Sequence, residues 1–304
     1  MPLIRPFSAV ILGFLLLSGA LAQSVSSGPS INPPEPGAGP FARGNLVAWC
    51  VVPFDAKKRG PEERAAMLDR LGLRRLAYDW RAEHIPTFDA EIEAMLRHGI
   101  ELTAWWFPAA IDDDARAILE AIERHELKTQ LWVSLGDPAP GDPSQEKKIA
   151  AAVAALQPIA KEAHRLGCKL GLYNHGGWFG QPENQIAVLQ ALGQPHAGLV
   201  YNFHHGHEHL DRFAELFPQM QAHLLCVNLN GMIAGGDAAG KKILPVGDGD
   251  REAAMIEVIR ASGYTGLIGI LDHRPELDAE EALRLNLDGL EGLLRDDLPT
   301  ADKP

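Results

Sequence analysis

Apolar and polar residues alternate along most of this chain in two different rhythms. From Asn45 onward, short apolar runs typical of buried strands are separated by longer stretches with a helical spacing of apolar residues. Eight runs are predicted to be strands: LVAWCVV (46–52), RLAYD (75–79), IELTAWWF (100–107), TQLWVSL (129–135), KLGLYN (169–174), GLVYNF (198–203), HLLCVNL (223–229) and GLIGILD (266–272). The pattern therefore predicts a series of strand–helix units.

The segments between these runs have the composition of amphipathic helices, and several of them end in glycine just before the next strand. Short apolar strands that alternate with helices indicate a parallel sheet covered by helices. Eight units in about 250 residues fit a closed barrel. A doubly wound sheet would carry a glycine-rich first turn, which VVPFDAKKRG lacks. We predict an α/β fold, a single (β/α)8 TIM barrel over residues 43–297.

The first 42 residues have a different character. Residues 1–22 are predicted to be a signal peptide, because a basic start and an apolar run precede the small residues Ala20 and Ala22. Residues 23–42 are rich in Ser, Gly and Pro and are predicted to be a flexible linker, and residues 298–304 a short tail. Export predicts a periplasmic or secreted protein without stable membrane insertion after cleavage. A retained N-terminal anchor is the alternative.

Composition restricts the partners. The 304 residues carry a formal charge of −12, and no basic patch offsets it, so nucleic acid and anionic membrane surfaces are not expected partners. The three cysteines, Cys50, Cys168 and Cys226, lie in or beside apolar runs without Cys-x-x-Cys spacing, which predicts buried structural residues. A small molecule remains as the expected partner.

The predicted strand ends carry polar side chains. In a (β/α)8 barrel the site lies at the C-terminal ends of the strands, and alternation along each strand predicts which side chains point inward. The predicted ring at the mouth consists of Tyr173, Asn202, Asn228 and Asp272. On the eighth strand, Asp272 is expected to share its face with Ile268 and Ile270.

Further candidate residues follow the strand ends: Asp79, Trp106, Asn174, His175, His204, His205 and Asn230. An indole can stack on a sugar ring and amides can bond its hydroxyl groups, so we predict a carbohydrate ligand. The segment HHGHEH (204–209) holds four histidines, too crowded for all of them to bind one ion. One or two are assigned to the site and the others to the solvated start of the next helix.

Other enzyme classes fit the strand ends less well. A retaining glycosidase needs two facing carboxyl groups, commonly after strands four and seven, where this chain has Asp137 and Asn228. The Gly-x-Ser-x-Gly elbow of a hydrolase is absent from the sequence. Phosphate recognition is disfavoured because Asp248 and Asp250 lie at the predicted start of the seventh helix.

Three segments carry a family resemblance. They are GLYNHGG, GLVYNFHH and ILPVGDGDREAAMIEVIRASGYTGLIGILD, and their order and spacing extend the likeness over roughly residues 45–295. The chain resembles the xylose isomerase-like barrels, which are sugar isomerases and epimerases related to endonuclease IV. The resemblance implies the TIM-barrel fold and an activity on sugars.

The resemblance also implies a divalent ion, held in the family by Glu, Asp, His and Glu from strands five to eight. The matching positions of this chain carry Tyr173, Asn202, Asn228 and Asp272. Mg²⁺ and Mn²⁺ sites depend on carboxylates, and one is left here, so we predict no metal at the usual site and leave the cofactor unknown. A remodelled site using Asp272 with His175 or His205 stays open.

The histidines of two family motifs are kept as His175 and His205. We predict that His175, His205 and Asp272 are catalytic, and that the substrate-binding residues are Asp79, Trp106, Tyr173, Asn174, Asn202, His204, Asn228 and Asn230. The expected reaction is proton transfer α to a carbonyl of an unphosphorylated sugar, leading to isomerisation, epimerisation or elimination. The alternative is a non-catalytic carbohydrate-binding barrel, which would need no group with a tuned pKa.

Overall fold

Eight parallel strands form a closed barrel in the computed structural model, which describes residues 39–142, 144–271 and 273–296. Each strand pairs with the next one along the chain, and the eighth pairs with the first. The strands are β1 (Leu46–Trp49), β2 (Arg75–Tyr78), β3 (Glu101–Trp106), β4 (Gln130–Val133), β5 (Lys169–Tyr173), β6 (Ala197–Asn202), β7 (Leu224–Leu229) and β8 (Leu267–Leu271). The predicted single (β/α)8 TIM barrel is confirmed.

Helices follow the strands and cover the barrel. They are α1 (Pro61–Arg70), α2 (Phe88–Arg97), α3 (Asp113–Arg124), α4 (Gln145–Leu166), α5 (Pro182–Leu192), α6 (Phe213–Gln221), α7 (Glu252–Ala261) and α8 (Ala279–Asp296). The Ser144 side chain accepts a hydrogen bond from the Lys147 N–H at the start of α4, and Gly167 ends that helix in the left-handed conformation. Local sequence signals therefore set the limits of the longest helix.

Several predicted strands extend too far at their C-terminal ends. The run 46–52 is apolar throughout, yet β1 ends at Trp49 because Cys50 turns the backbone to a φ of +55°. Val51 and Val52 are buried outside the strand, among the residues between barrel and helices. An apolar run marks burial, and the strand occupies only the part of it that has a partner in the barrel.

Alternation along the strands divides the core into two layers. Trp105 on β3 points outward and packs against α2, whereas the neighbouring Trp106 points into the barrel. The barrel interior is filled by Trp49, Trp132 and Tyr173. Glycines make room for these rings, since a methyl group on Gly171 would lie 2.5 Å from Cδ1 of Trp132. The large aromatic side chains therefore depend on glycine at facing positions.

The described chain begins at Gly39, before the predicted limit of the barrel. Residues Gly39–Phe41 form a 3₁₀ turn, and Phe41 and Ala42 are buried, although residues 23–42 are assigned to the linker by composition. The Asn45 amide donates hydrogen bonds to the carbonyls of Pro40 and Gly266, which attaches this segment near the start of β8. The predicted signal peptide 1–22, linker residues 23–38 and tail 298–304 lie outside the described residues.

Across the described residues, no helix combines the length and the apolar character that crossing a membrane requires.

All three cysteines are buried, and Cys168 donates its S–H to the Leu127 carbonyl at 3.7 Å.

The close contact at Gly269 gives a test of the interior packing. A methyl group there would lie 2.5 Å from Cε3 of Trp49 and 2.7 Å from Oδ1 of Asn228. We expect Gly269→Ala to lower the free energy of unfolding by about 1–3 kcal/mol, as overpacking of a core does. Gly292→Ala is the control, because open space surrounds Gly292 in α8 and alanine favours a helix. Urea unfolding measures both; equal stability of Gly269→Ala and wild type would contradict this packing.

Candidate functional site

Four aromatic rings form a floor at the C-terminal end of the barrel: Trp49, Trp106, Trp132 and Tyr173. The ring centroids of Trp49 and Trp132 are 4.3 Å apart, and Trp106 stands edge-on to both, at 5.3 and 5.0 Å. Three of these rings are buried, and Trp106 is half-buried. This aromatic floor closes the barrel below the mouth and presents Trp106 to the solvent side.

A chain of side-chain hydrogen bonds joins the ends of β5, β6 and β7. The Asn202 amide donates to the hydroxyl of Tyr173 at 2.8 Å, and its oxygen accepts from the Asn228 amide at 2.8 Å. The same oxygen accepts from the backbone N–H of His204 at 3.0 Å. Burial holds the pKa of Tyr173 well above its ordinary value, so the phenol stays protonated. Three of the predicted ring residues are therefore bonded to one another.

Four imidazole rings stand at the mouth: His175, His204, His205 and His273. The rings of His175 and His205 are 4.3 Å apart, and each lies within 6 Å of the Tyr173 ring, at 5.8 and 5.5 Å. His204 lies 4.4 Å from His205 and 5.2 Å from His273. We refer to this group as the imidazole cluster; it contains three predicted site residues together with His273, which the sequence reasoning missed.

Burial lowers the pKa of every member of the imidazole cluster. For His205 the pKa falls to about 2, because the rings of His204 and His175 add to the effect of burial. For His204 it falls to about 3, with the His273 ring as the second cause. The Lys242 ammonium group contributes to the lowering at His175, His204 and His205. The cluster is therefore uncharged at neutral pH.

The prediction of which β8 side chains point inward is wrong for the residues that the structure describes. Ile268 and Ile270 pack outward between barrel and helices, whereas Leu267 and Leu271 belong to the barrel interior. Gly269 lies between these two leucines because its neighbour Trp49 leaves no room for a side chain. Leu271 is the last described residue of β8 and belongs to the barrel interior, and Asp272, which was predicted for the mouth, lies outside the described residues. His273 follows Leu271 by two residues, and its ring contacts His204, so a histidine from this strand end joins the cluster.

The other two histidines of the HHGHEH segment have structural contacts. His209 is buried, with Nδ1 3.0 Å from the Tyr201 hydroxyl and Nε2 3.0 Å from Oε1 of Gln181. His207 bonds the carbonyl of Lys242 at 3.0 Å. The expectation that they are solvated is wrong, because both rings fasten one loop to another.

Two of the predicted substrate-binding amides are engaged with the backbone. Asn174 bridges to Asn202, accepting from its N–H at 2.7 Å and donating to its carbonyl at 3.2 Å. Asn230 donates to the carbonyls of Gly231 and Lys242, both at 2.9 Å. Both side chains are buried and hold the loops that follow β5 and β7, which leaves a single unpartnered atom, Oδ1 of Asn230.

Asp79 follows β2 and is almost completely buried, with 2% of its surface exposed. Its Oδ1 accepts a hydrogen bond from the Val52 N–H at 3.3 Å, and its Oδ2 has no hydrogen-bond partner among the described residues. Burial raises the pKa of this carboxyl group to about 7, and the nearby Arg81 guanidinium opposes the rise. The charge of Asp79 therefore changes near neutral pH.

Glu252 occupies the loop in which (β/α)8 barrels often bind phosphate. Its Oε1 accepts from the N–H groups of Gly247 and Gly249 at 3.1 and 2.7 Å, and its Oε2 accepts from the Met232 N–H at 2.9 Å. These donors precede α7 and would otherwise be available to an anion. An internal carboxylate already satisfies them.

In the described ranges 39–142, 144–271 and 273–296, no three His, Cys, Asp or Glu side chains are arranged so that they could hold a metal ion together.

A closed parallel barrel with polar side chains gathered at the carboxyl ends of its strands defines a TIM barrel with its candidate site in the usual place. Within that class, the chain belongs to the xylose isomerase-like TIM barrel family, whose model matches residues 53–291. No curated protein sequence matches the chain.

Solved structures with the same fold include sugar-modifying barrels. The 3-keto-D-glucoside 4-epimerase of E. coli is 16% identical, with a TM-score of 0.63 over 83% of this chain and 99% of its own. The D-allulose 3-epimerase of Methylomonas sp., solved in complex with D-allulose, is 16% identical, with a TM-score of 0.62 over 83% of this chain and 97% of its own. A xylose isomerase domain protein of Alicyclobacillus acidocaldarius is 20% identical, with a TM-score of 0.58 over 83% and 98%. At these identities the likeness establishes the fold.

The raised pKa of Asp79 predicts a pH-dependent stability. Between its ordinary pKa of 3.8 and about 7, the folded state keeps a proton that the unfolded chain releases, so the free energy of unfolding falls as pH rises through this range. Asp79→Asn removes this loss, and its stability relative to wild type should increase by about 2–4 kcal/mol from pH 4 to pH 8. Urea unfolding at both pH values measures the change; a difference that does not vary with pH would contradict the assignment.

Proposed function

We propose that this chain is an exported, isomerase- or epimerase-like barrel that acts on an unphosphorylated carbohydrate by proton transfer α to a carbonyl. The observation that carries the proposal is the pairing of His175 and His205, whose rings lie 4.3 Å apart above the aromatic floor. Export and a periplasmic or secreted location rest on the signal-like residues 1–22. Sugar epimerases among the structural neighbours support activity on a sugar.

The mouth has the chemistry of a sugar site. Trp106 is half-buried beside Tyr173, whose ring also contacts His175 and His205, and it offers an apolar surface for the C–H groups of a sugar ring. Each uncharged imidazole carries one N–H donor and one lone pair, which match the hydroxyl and carbonyl oxygens of a carbohydrate. The combination favours a neutral ligand with many hydroxyl groups.

The chain's own residues do not fit the divalent ion that the family implies. At the ligand positions of β5, β6 and β7, Tyr173, Asn202 and Asn228 bring no carboxylate, and the fourth position, Asp272, lies outside the described residues. The Asn202 oxygen is already the acceptor for two N–H donors, and its nitrogen donates to Tyr173. An oxygen-ligand cation would have to break these bonds without the charge that offsets its dehydration. We therefore propose that the metal site has been lost.

Without a metal, the oxygen that becomes an enolate needs hydrogen-bond donors from the protein. His175 and His205 are placed side by side at the mouth, and their lowered pKa values keep them neutral, so each presents one N–H donor. We assign to these two imidazoles the stabilisation of the developing oxyanion. Asp272, the third predicted catalytic residue, lies outside the described residues.

Glu252 supports the restriction to unphosphorylated sugars. Its carboxylate bonds the N–H groups of Gly247 and Gly249 and would repel a phosphate group at the same loop. A phosphorylated substrate would have to displace an internal carboxylate that makes three hydrogen bonds.

The activity can be measured as exchange of the proton α to the carbonyl with solvent. In heavy water, we expect wild type to incorporate deuterium at C3 of at least one of D-allulose, D-fructose and D-tagatose, as followed by proton NMR, and not into their phosphate esters. His205→Asn should slow the exchange about 100-fold, the usual loss when an oxyanion donor is removed. His223→Asn, next to β7 at the opposite end of the barrel, is the matched control and should exchange as wild type does.

A non-catalytic carbohydrate-binding barrel is the second candidate. It is favoured because the hydrogen-bonded chain of Tyr173, Asn202 and Asn228 replaces the charged ligands of the family. These groups can form hydrogen bonds but do not catalyse a reaction. Quenching of tryptophan fluorescence by the same sugars, together with no deuterium at C3 in wild type, would select this candidate over the enzyme.

The loss of the metal site predicts how stability responds to cations. A ligand that binds only the folded state raises the melting midpoint. After treatment with a chelator, we expect millimolar Mg²⁺ or Mn²⁺ to leave the midpoint within about 1 °C of that in NaCl at equal ionic strength, because the Tyr173–Asn202–Asn228 chain offers no site. Differential scanning calorimetry measures it, and a dose-dependent rise of several degrees would contradict the proposal.

A further inference from the structure

Asp79 stands at the inner edge of the mouth because of its position on β2. Tyr78 points outward, where its ring meets Trp105 at 4.9 Å, and Ala77 belongs to the barrel interior. Alternation therefore turns Asp79, the residue after the strand, toward the barrel axis. Its charge also affects the pKa of Tyr173, which lies in the aromatic floor.

The carboxyl group of Asp79 is only half satisfied. The Val52 N–H holds Oδ1, while the buried Oδ2 has no hydrogen-bond partner in the described part of the chain. The neighbouring Arg81 does not form an ion pair with it in the described structure; its guanidinium donates to the backbone carbonyls of Asp79 and Trp80 at 2.8 and 2.7 Å. A buried polar atom without a partner calls for an explanation, and a functional role is one of them.

The loops next to Asp79 carry a stack of three side chains. The Phe54 ring lies 3.8 Å from the His273 ring, and the Arg81 guanidinium lies 5.5 Å from the Phe54 ring. Phe54 follows Val52 by two residues and Arg81 follows Asp79 by two, so the stack lies beside the carboxyl group. His273 in turn contacts His204 of the imidazole cluster at 5.2 Å. The stack thus connects the loop of Asp79 with the imidazole cluster.

We propose that Asp79 is the catalytic residue that removes and returns the proton on the carbon next to the substrate carbonyl, a role that rests on the proposed function. Oδ2 of the carboxylate takes the proton, the electron pair of the C–H bond forms the carbon–carbon double bond, and the carbonyl π electrons move onto oxygen. That oxygen accepts hydrogen bonds from the neutral imidazoles of His175 and His205. Return of the proton from Asp79 to the original carbon regenerates the carbonyl, and its return to the former carbonyl carbon, with the neighbouring hydroxyl proton passing to the oxyanion, gives the isomer; neither needs an outside reactant.

The protein environment gives the Asp79 carboxyl group and the imidazoles different roles. Burial makes Asp79 a stronger base than an ordinary aspartate, whereas burial makes the imidazoles weaker bases and leaves them as N–H donors. Active sites commonly separate the acid and base roles in this way: the environment moves the pKa values of two titratable groups in opposite directions. The base then acts in its ionised form, which increases as the pH rises through about 7.

Deuterium exchange at C3 of the ketohexoses tests this role in the full chain. We expect Asp79→Asn to slow exchange at least 100-fold, while the dissociation constant of the sugar, measured by tryptophan fluorescence, changes less than about threefold. Asp79→Glu should retain more exchange than Asp79→Asn because it keeps the carboxyl group. Asp137→Asn is the matched control, because Asp137 is exposed and ion-paired with Lys148. In wild type the rate should rise with pH through about 7, the pKa of Asp79.

The outcomes separate this inference from the proposed function. If wild type exchanges and Asp79→Asn exchanges within threefold of it, the role of Asp79 is wrong and the proposed function stands. If wild type exchanges none of the sugars, both fail. If Asp79→Asn does not fold, the pH profiles of wild type and of Asp79→Glu decide. The role is overturned if the wild-type rate does not vary between pH 5.5 and 8.5. It is also overturned if Asp79→Glu has the same pH profile as wild type.

Discussion

The amide of Asn202 makes the contacts on which the arrangement of the barrel mouth depends. One side chain donates to Tyr173 on β5, accepts from Asn228 on β7, and caps the turn that begins at Phe203 by accepting the His204 N–H. Because these three hydrogen bonds are made inside the protein, Asn202 fixes three strand ends and the direction in which the His204–His205 segment leaves the barrel. Both the packed aromatic floor below and the imidazole cluster above are positioned by this amide.

The second constraint is the low polarity of the mouth. Tryptophan rings fill the space where a polar site would hold charged ligands, and burial in these surroundings disfavours any formal charge. The imidazoles respond by staying neutral and Asp79 by holding its proton up to about pH 7. A site of this kind binds through dipoles and ring faces, so it suits a neutral sugar, whose negative charge arises only during the reaction.

The sequence was sufficient for the fold and for much of the site. Eight apolar runs predicted eight strands, and the alternation on β5, β6 and β7 placed Tyr173, Asn202 and Asn228 correctly at the mouth. On β8 both faces are buried, so an apolar run of Leu and Ile carries no signal of its inward side, and His273 was missed. Bonds such as His209 to Tyr201 depend on how loops meet, which periodicity does not reveal.

Asp79 bears on the choice between a catalyst and a binding protein. The aromatic floor, the amide chain and the neutral imidazoles serve either function, since stacking and hydrogen bonding hold a sugar whether or not it reacts. A buried carboxyl oxygen that has no donor among the described residues differs, because it costs folding free energy until a ligand or a proton satisfies it. Proton transfer is a function that requires such a group, since a base must keep one oxygen free for the proton. Oδ2 of Asp79 thus meets a requirement of the proposed catalyst that a binding protein does not have.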